Sequence, residues 1–133
     1  AKTSNLAVAL ATTAVVFLVM SMVGHFGKRD LSKAGSIAMS ALFGVIIMMF
    51  VNMFMGSSGM QMLISYAILI IFIVLTAWDT QRLKNLYLTA GSDGQAAIST
   101  SSLAVVGALM LYLDFLNLFT AILQILGVGD NNN

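Results

Sequence analysis

Cysteine and proline are both absent from this chain, and charge is scarce. Without cysteine there is no disulfide and no thiolate metal site. Without proline, nothing in the sequence demands a break in a helix. Only 8% of the 133 residues are charged, where a soluble domain carries about 25%. So few charges cannot cover the surface of a water-soluble globule. A net charge of +1 offers no electrostatic footprint for nucleic acid, which is excluded as a partner. No Ser/His/Asp constellation, phosphate loop or HExxH motif is present, so the chain does not read as an enzyme, and no cofactor is implied.

What the chain has instead is apolar length. Hydrophobic residues make up 59% of it and fall into four runs, at 6–23, 37–55, 60–78 and 103–126. About 18 or more apolar residues in a row cross a hydrocarbon core as a helix. Barrel strands are much shorter, and only a helix or a closed barrel satisfies its own backbone in lipid. The fold class is therefore an all-α integral membrane protein, a single domain over 1–133 with about four transmembrane helices in a bundle. The chain begins at Ala1, which implies removal of the initiator or truncation. The first run lacks a small-x-small cleavage site and continues into three more, so it reads as a span and not as a signal peptide.

Punctuation lies between the runs. Gly24 and Gly27 offer stops for the first helix, and Asp30 or Ser32 can cap the second. Gly56 can end the second helix, and Ser58 with Gln61 has capping-box spacing for the third. The third helix is expected to continue through Arg82 and Lys84. Gly91-Ser92-Asp93-Gly94-Gln95 reads as a loop, with Ser92 and Gln95 as a second capping box. Gly127 reads as a stop, with a disordered Asp130-Asn131-Asn132-Asn133 tail after it. Ser36, Ser40 and Gly44, and likewise Ala7 and Ala11, recur every fourth residue. Small residues at that spacing let helices approach closely, although they are also common in membrane helices generally.

The loops give an orientation. The first carries Lys28, Arg29 and Lys33, the second (Gly56-Ser57-Ser58-Gly59) carries no charge, and the third carries Arg82 and Lys84 nearby. The positive-inside rule places both basic loops in the cytoplasm and both termini outside. Trp78, beside the basic end of span three, fits an interfacial anchor.

Asp114 is the most informative residue. It lies deep in span four, where a charged carboxylate costs about 2.5–3.5 kcal/mol to insert. It must meet a partner, meet water or carry a proton. Asn117 and Gln124 follow near the same face and make a polar stripe. The bland reading is an inter-helix hydrogen bond that aids packing. Asp79, at the basic end of span three, shares a face with Thr76, Phe72 and Ser65. It can pair with Arg82 as an ordinary i,i+3 ion pair, or with Asp114 across the bundle. Two carboxylates in contact cannot both ionise cheaply, so such a pair holds a proton and is also a hard-oxygen cation site. His25, the single histidine, reads as a polar helix end. The ten methionines have no regular spacing with histidine or acids and read as packing, not a copper path.

Three stretches together resemble the bacterial branch of the Bax inhibitor family, the transmembrane Bax-inhibitor-motif proteins. They are Gly27-Lys28-Arg29-Asp30-Leu31-Ser32, Leu75-Thr76-Ala77-Trp78-Asp79-Thr80-Gln81-Arg82-Leu83-Lys84-Asn85, and Gly107-Ala108-Leu109-Met110-Leu111-Tyr112-Leu113-Asp114-Phe115-Leu116-Asn117-Leu118-Phe119. Their order and spacing cover nearly the whole chain. The resemblance implies seven helices with the last at the centre, so these four spans would be helices four to seven. It implies a bacterial inner-membrane protein that acts as a proton-sensitive calcium leak. Asp79 and Asp114 match the family's pH-sensing aspartate pair, with calcium as the transported ion. Thr76, Arg82, Asn117 and Gln124 are the supporting polar residues on this reading. The family's basic latch on an early helix has no counterpart here, and Trp78 stands where tyrosine is usual. The partners expected are the lipid bilayer and the missing N-terminal helices or other membrane proteins. The alternative function is a membrane-embedded regulator that binds another membrane protein and transports nothing.

Overall fold

A computed structural model describes residues 3–93 and 100–131. Four α-helices follow one another: α1 Thr3–Phe26, α2 Ser32–Met55, α3 Ser58–Asp93 and α4 Thr100–Asn131. No strand occurs among the described residues. All four helices are long and apolar enough to cross a membrane, over Ser4–Phe26, Ser32–Met55, Ser58–Leu88 and Ser102–Gly127. At about 1.5 Å per residue, even the 24-residue helices exceed a hydrocarbon core of about 30 Å. Their outward sides are apolar: Phe26 is 70%, Met53 77% and Phe54 80% exposed. So much exposed apolar surface is unfavourable in water and neutral against lipid tails.

Every helix outruns its apolar stretch at one end or both. α2 starts at Ser32 rather than near residue 37, and α4 starts at Thr100 rather than near residue 103. The expected loop at 91–95 is helical through Asp93, and Gly127 does not stop α4, which continues through Asp130 to Asn131. An apolar run marks the hydrocarbon slab, while a helix persists into the interface as long as its backbone bonds are made. Gln95 of the second capping box, and Asn132 and Asn133 of the tail, lie outside the described residues.

The turn between α2 and α3 shows how local chemistry ends one helix and starts the next. Gly56 adopts φ 66°, ψ 26° and donates its N–H to Asn52 O at 2.7 Å. That left-handed geometry suits glycine. Ser57, not Ser58, caps α3: its Oγ accepts from Met60 N at 3.1 Å, while its own N–H donates to Asn52 Oδ1 at 3.0 Å. At the other end, Asp30 Oδ1 accepts from Ser32 Oγ at 2.7 Å and from Ser32 N at 3.0 Å. These two bonds, the hydroxyl first, hold the Asp30 carboxyl below its ordinary range.

The hub of the bundle is α3. It touches each of the other helices, and α1 also touches α4, whereas α2 touches neither α1 nor α4 among the described residues. Within these four helices α4 is therefore not the centre, and residues such as Leu109, Tyr112 and Leu113 on its outer side are exposed. Two glycines bring their helices onto α3. A Cβ on Gly24 of α1 would lie 2.1 Å from Ala77 O, and one on Gly35 of α2 would lie 2.0 Å from Trp78 Cδ2. Gly24 is thus a contact residue inside α1, and the helix ends two residues later. The anticipated small-residue stripes do not pack: Ala7, Ala11, Ser36, Ser40 and Gly44 are exposed, and Gly44 has open space beside it. The core instead gathers Ala38, Val45, Ile64, Ile71, Phe72, Leu75 and Leu118. Phe17 and Phe115 add an edge-to-face contact at 5.4 Å between α1 and α4.

Candidate functional site

One seam, between α3 and α4, holds most of the buried polar residues among those described. On α3, Ser65, Phe72, Thr76 and Asp79 are all buried, as their shared face requires. Thr76 is fully buried and satisfies itself, its Oγ1 donating to Phe72 O at 2.6 Å. Asp79 is 6% and Asp114 4% exposed. Their carboxyl groups face each other across the seam, close enough to interact. A hydrogen bond between two carboxyl groups needs a proton on one of them. Asp114 Oδ2 is buried and has no hydrogen-bond partner among the described residues.

Arg82 completes the group. Its guanidinium pairs with Asp79 from the next turn of α3 and lies 3.9 Å from the centroid of the Trp78 ring. Trp78 in turn presses against Gly35 of α2. The indole is half-buried, and its Nε1 is buried with no hydrogen-bond partner among the described residues. It is a platform between α2 and the guanidinium. Both readings of Asp79 hold together here: it has its i,i+3 arginine and also faces Asp114.

The stripe on α4 divides. Asn117 turns back on its own helix and donates Nδ2 to Leu113 O at 2.8 Å. Gln124 crosses the seam instead: its Oε1 accepts from Ser65 Oγ at 2.6 Å and from Gln61 Nε2 at 3.2 Å. Asn52 of α2 adds a longer bond to Gln61 Oε1 at 3.4 Å. This neutral cluster sits at the end opposite the aspartates. Gln61 and Ser65 escaped the reading of the sequence as partners of Gln124, because no spacing rule joins residues on different helices. His25 is exposed and stacks edge-on against Phe26 at 4.6 Å, away from the acidic pair. Among the described residues, no group of three or more His, Cys, Asp or Glu side chains is placed to hold a metal ion. Asp79 and Asp114 are two hard-oxygen donors, fewer than the 6–8 oxygens that resident calcium takes.

Fold and seam together define a multi-pass α-helical membrane protein with an acidic pair inside the bundle. The sequence profile of the family described as Inhibitor of apoptosis-promoting Bax1 matches residues 1–131, and the chain belongs to that Bax-inhibitor-like family. Uncharacterised protein YrjE of Lactococcus lactis is 37% identical over 129 residues, which cover 97% of this chain and 53% of that protein. Inner membrane protein YbhL of Escherichia coli is 37% identical over 124 residues, covering 93% and 52% respectively. An uncharacterised membrane protein of Streptococcus pyogenes is 39% identical over 122 residues, covering 92% and 51%. The chain thus spans about half the length of these relatives.

Proposed function

We propose that the chain forms the proton-sensing and cation-conducting part of a pH-sensitive leak, with calcium as the favoured ion. The observation that carries this reading is the pairing of two buried carboxyls across one seam, with Asp114 Oδ2 without a hydrogen-bond partner among the described residues. With one proton shared between Asp79 and Asp114, and Arg82 on Asp79, the seam is close to neutral and α4 seats against α3. Loss of that proton places two carboxylates side by side, which repel at contact distance. α4 then shifts against α3, and the exposed oxygens offer a passing cation hard ligands. The pair handles an ion in transit and does not store one. The neutral Gln61–Ser65–Gln124 cluster lines the same seam further along and offers further oxygens.

A docking module that only binds another membrane protein needs no buried acid pair, and this favours the leak over it. The test is calcium uptake into liposomes holding the purified protein, across about pH 6 to 8. A flux that changes with pH supports the leak. Wild-type liposomes no leakier than empty ones at every pH contradict it and favour the docking module.

A further inference from the structure

The connection between α1 and α2 borders an open cavity of about 210 Å³ at the basic end of the bundle. Lys28, Arg29 and Asp30 of the connection line it, with Gln81, Lys84 and Asn85 of α3 opposite. The cavity is held in shape from both sides. Gln81 Nε2 donates to Arg29 O at 2.6 Å, and Gln81 Oε1 accepts from Leu31 N at 2.8 Å. Lys84 Nζ donates to His25 O at 2.6 Å, which leaves two of its three N–H groups for another acceptor. Three basic residues therefore line the cavity against one acid, and Asp30 already spends an oxygen on Ser32. Lys28 and Arg29 are exposed, and neither forms an ion pair among the described residues.

Position selects the ligand. The cavity lies where α1 has just ended and α2 has yet to begin, at the edge of two membrane-spanning stretches. Headgroups lie at the ends of membrane-spanning helices, and the last turn of α1 carries exposed, apolar Met22, Val23 and Phe26. We propose that this cavity binds the phosphate of an anionic phospholipid headgroup, with Lys28, Arg29 and Lys84 as its donors and the tails in the bilayer beside α1. Free phosphate shares the charge but not the apolar neighbourhood. The site is separate from the aspartate pair and does not depend on cation flux.

The test is a titration of the purified protein with phosphatidylglycerol or phosphatidylcholine, read as bound lipid by native mass spectrometry. The first phosphatidylglycerol should bind more tightly than phosphatidylcholine. Lys28→Gln and Arg29→Gln should each weaken it about fivefold, the loss of one basic contact near a membrane surface. Both side chains are exposed, so neither substitution disturbs the core. Lys33→Gln removes a charge from the same region outside the cavity and should leave the affinity unchanged. Equal losses in all three variants would mean diffuse attraction and would overturn the site. Complete displacement of phosphatidylglycerol by millimolar inorganic phosphate would also overturn it, in favour of a small-anion site.

Discussion

Asp114 sits where a carboxylate is expensive, and its partners decide what it is for. A residue kept only for packing would direct both oxygens at donors. Asp114 instead faces a second acid, and its Oδ2 has no hydrogen-bond partner among the described residues. If its role were packing alone, Asp114→Asn would be silent or would stabilise by removing a burial cost of about 2.5–3.5 kcal/mol. The two aspartates act as one unit on the proposed mechanism. Asp79→Asn and Asp114→Asn should therefore each abolish the pH response, and the double variant should add little to either. Arg82 is a different case, because its loss leaves Asp79 buried without its cation. Arg82→Gln should destabilise the protein by about 1–3 kcal/mol, measured by resistance to denaturation in detergent. An unchanged stability would mean that the half-exposed guanidinium does not sustain the pair. Much of this site was legible at the level of residue type, since an acid in an apolar helix stands out. Asn117 misled because a side-chain amide can satisfy itself on its own backbone, which no helical wheel reveals.

At the scale of the helices, the four spans were plain from apolar length, and their ends were not. Periodicity also failed to say which face is covered. Ser36, Ser40 and Gly44 share a side of α2 and stand exposed, while Gly35, one position earlier, lies against Trp78. Spacing assigns residues to a face, and only the neighbouring helix determines whether that face is buried. A substitution series separates the two kinds of glycine. Gly24→Ala places a methyl group 2.1 Å from the Ala77 carbonyl, a backbone atom that cannot swing away. It should cost about 1–3 kcal/mol, the usual price of overpacking. Gly44→Ala meets nothing within 4 Å and should be neutral or stabilise by about 0.5–1 kcal/mol through helix propensity. Equal effects at the two positions, measured in the same denaturation assay, would contradict the α1–α3 contact.

For the whole molecule, the chain belongs to the Bax-inhibitor-like family, and among its four described helices α3 is the hub and packs against α4. The basic, neutral, basic order of the connections predicts that both basic ends face the cytoplasm. A cysteine placed at Ser58 should be labelled from outside intact cells, and one at Ser32 should not; the reverse pattern would invert the protein. On the proposed mechanism Asp114 couples proton binding to ion passage. Calcium uptake by proteoliposomes across about pH 6 to 8, with wild type and Asp114→Asn at matched incorporation, tests it most directly. Asparagine keeps the size and much of the hydrogen bonding but cannot ionise. The wild-type flux should vary with pH, and the Asp114→Asn flux should be flat, whether locked open or locked shut. A pH profile in Asp114→Asn that overlays the wild type would contradict that mechanism.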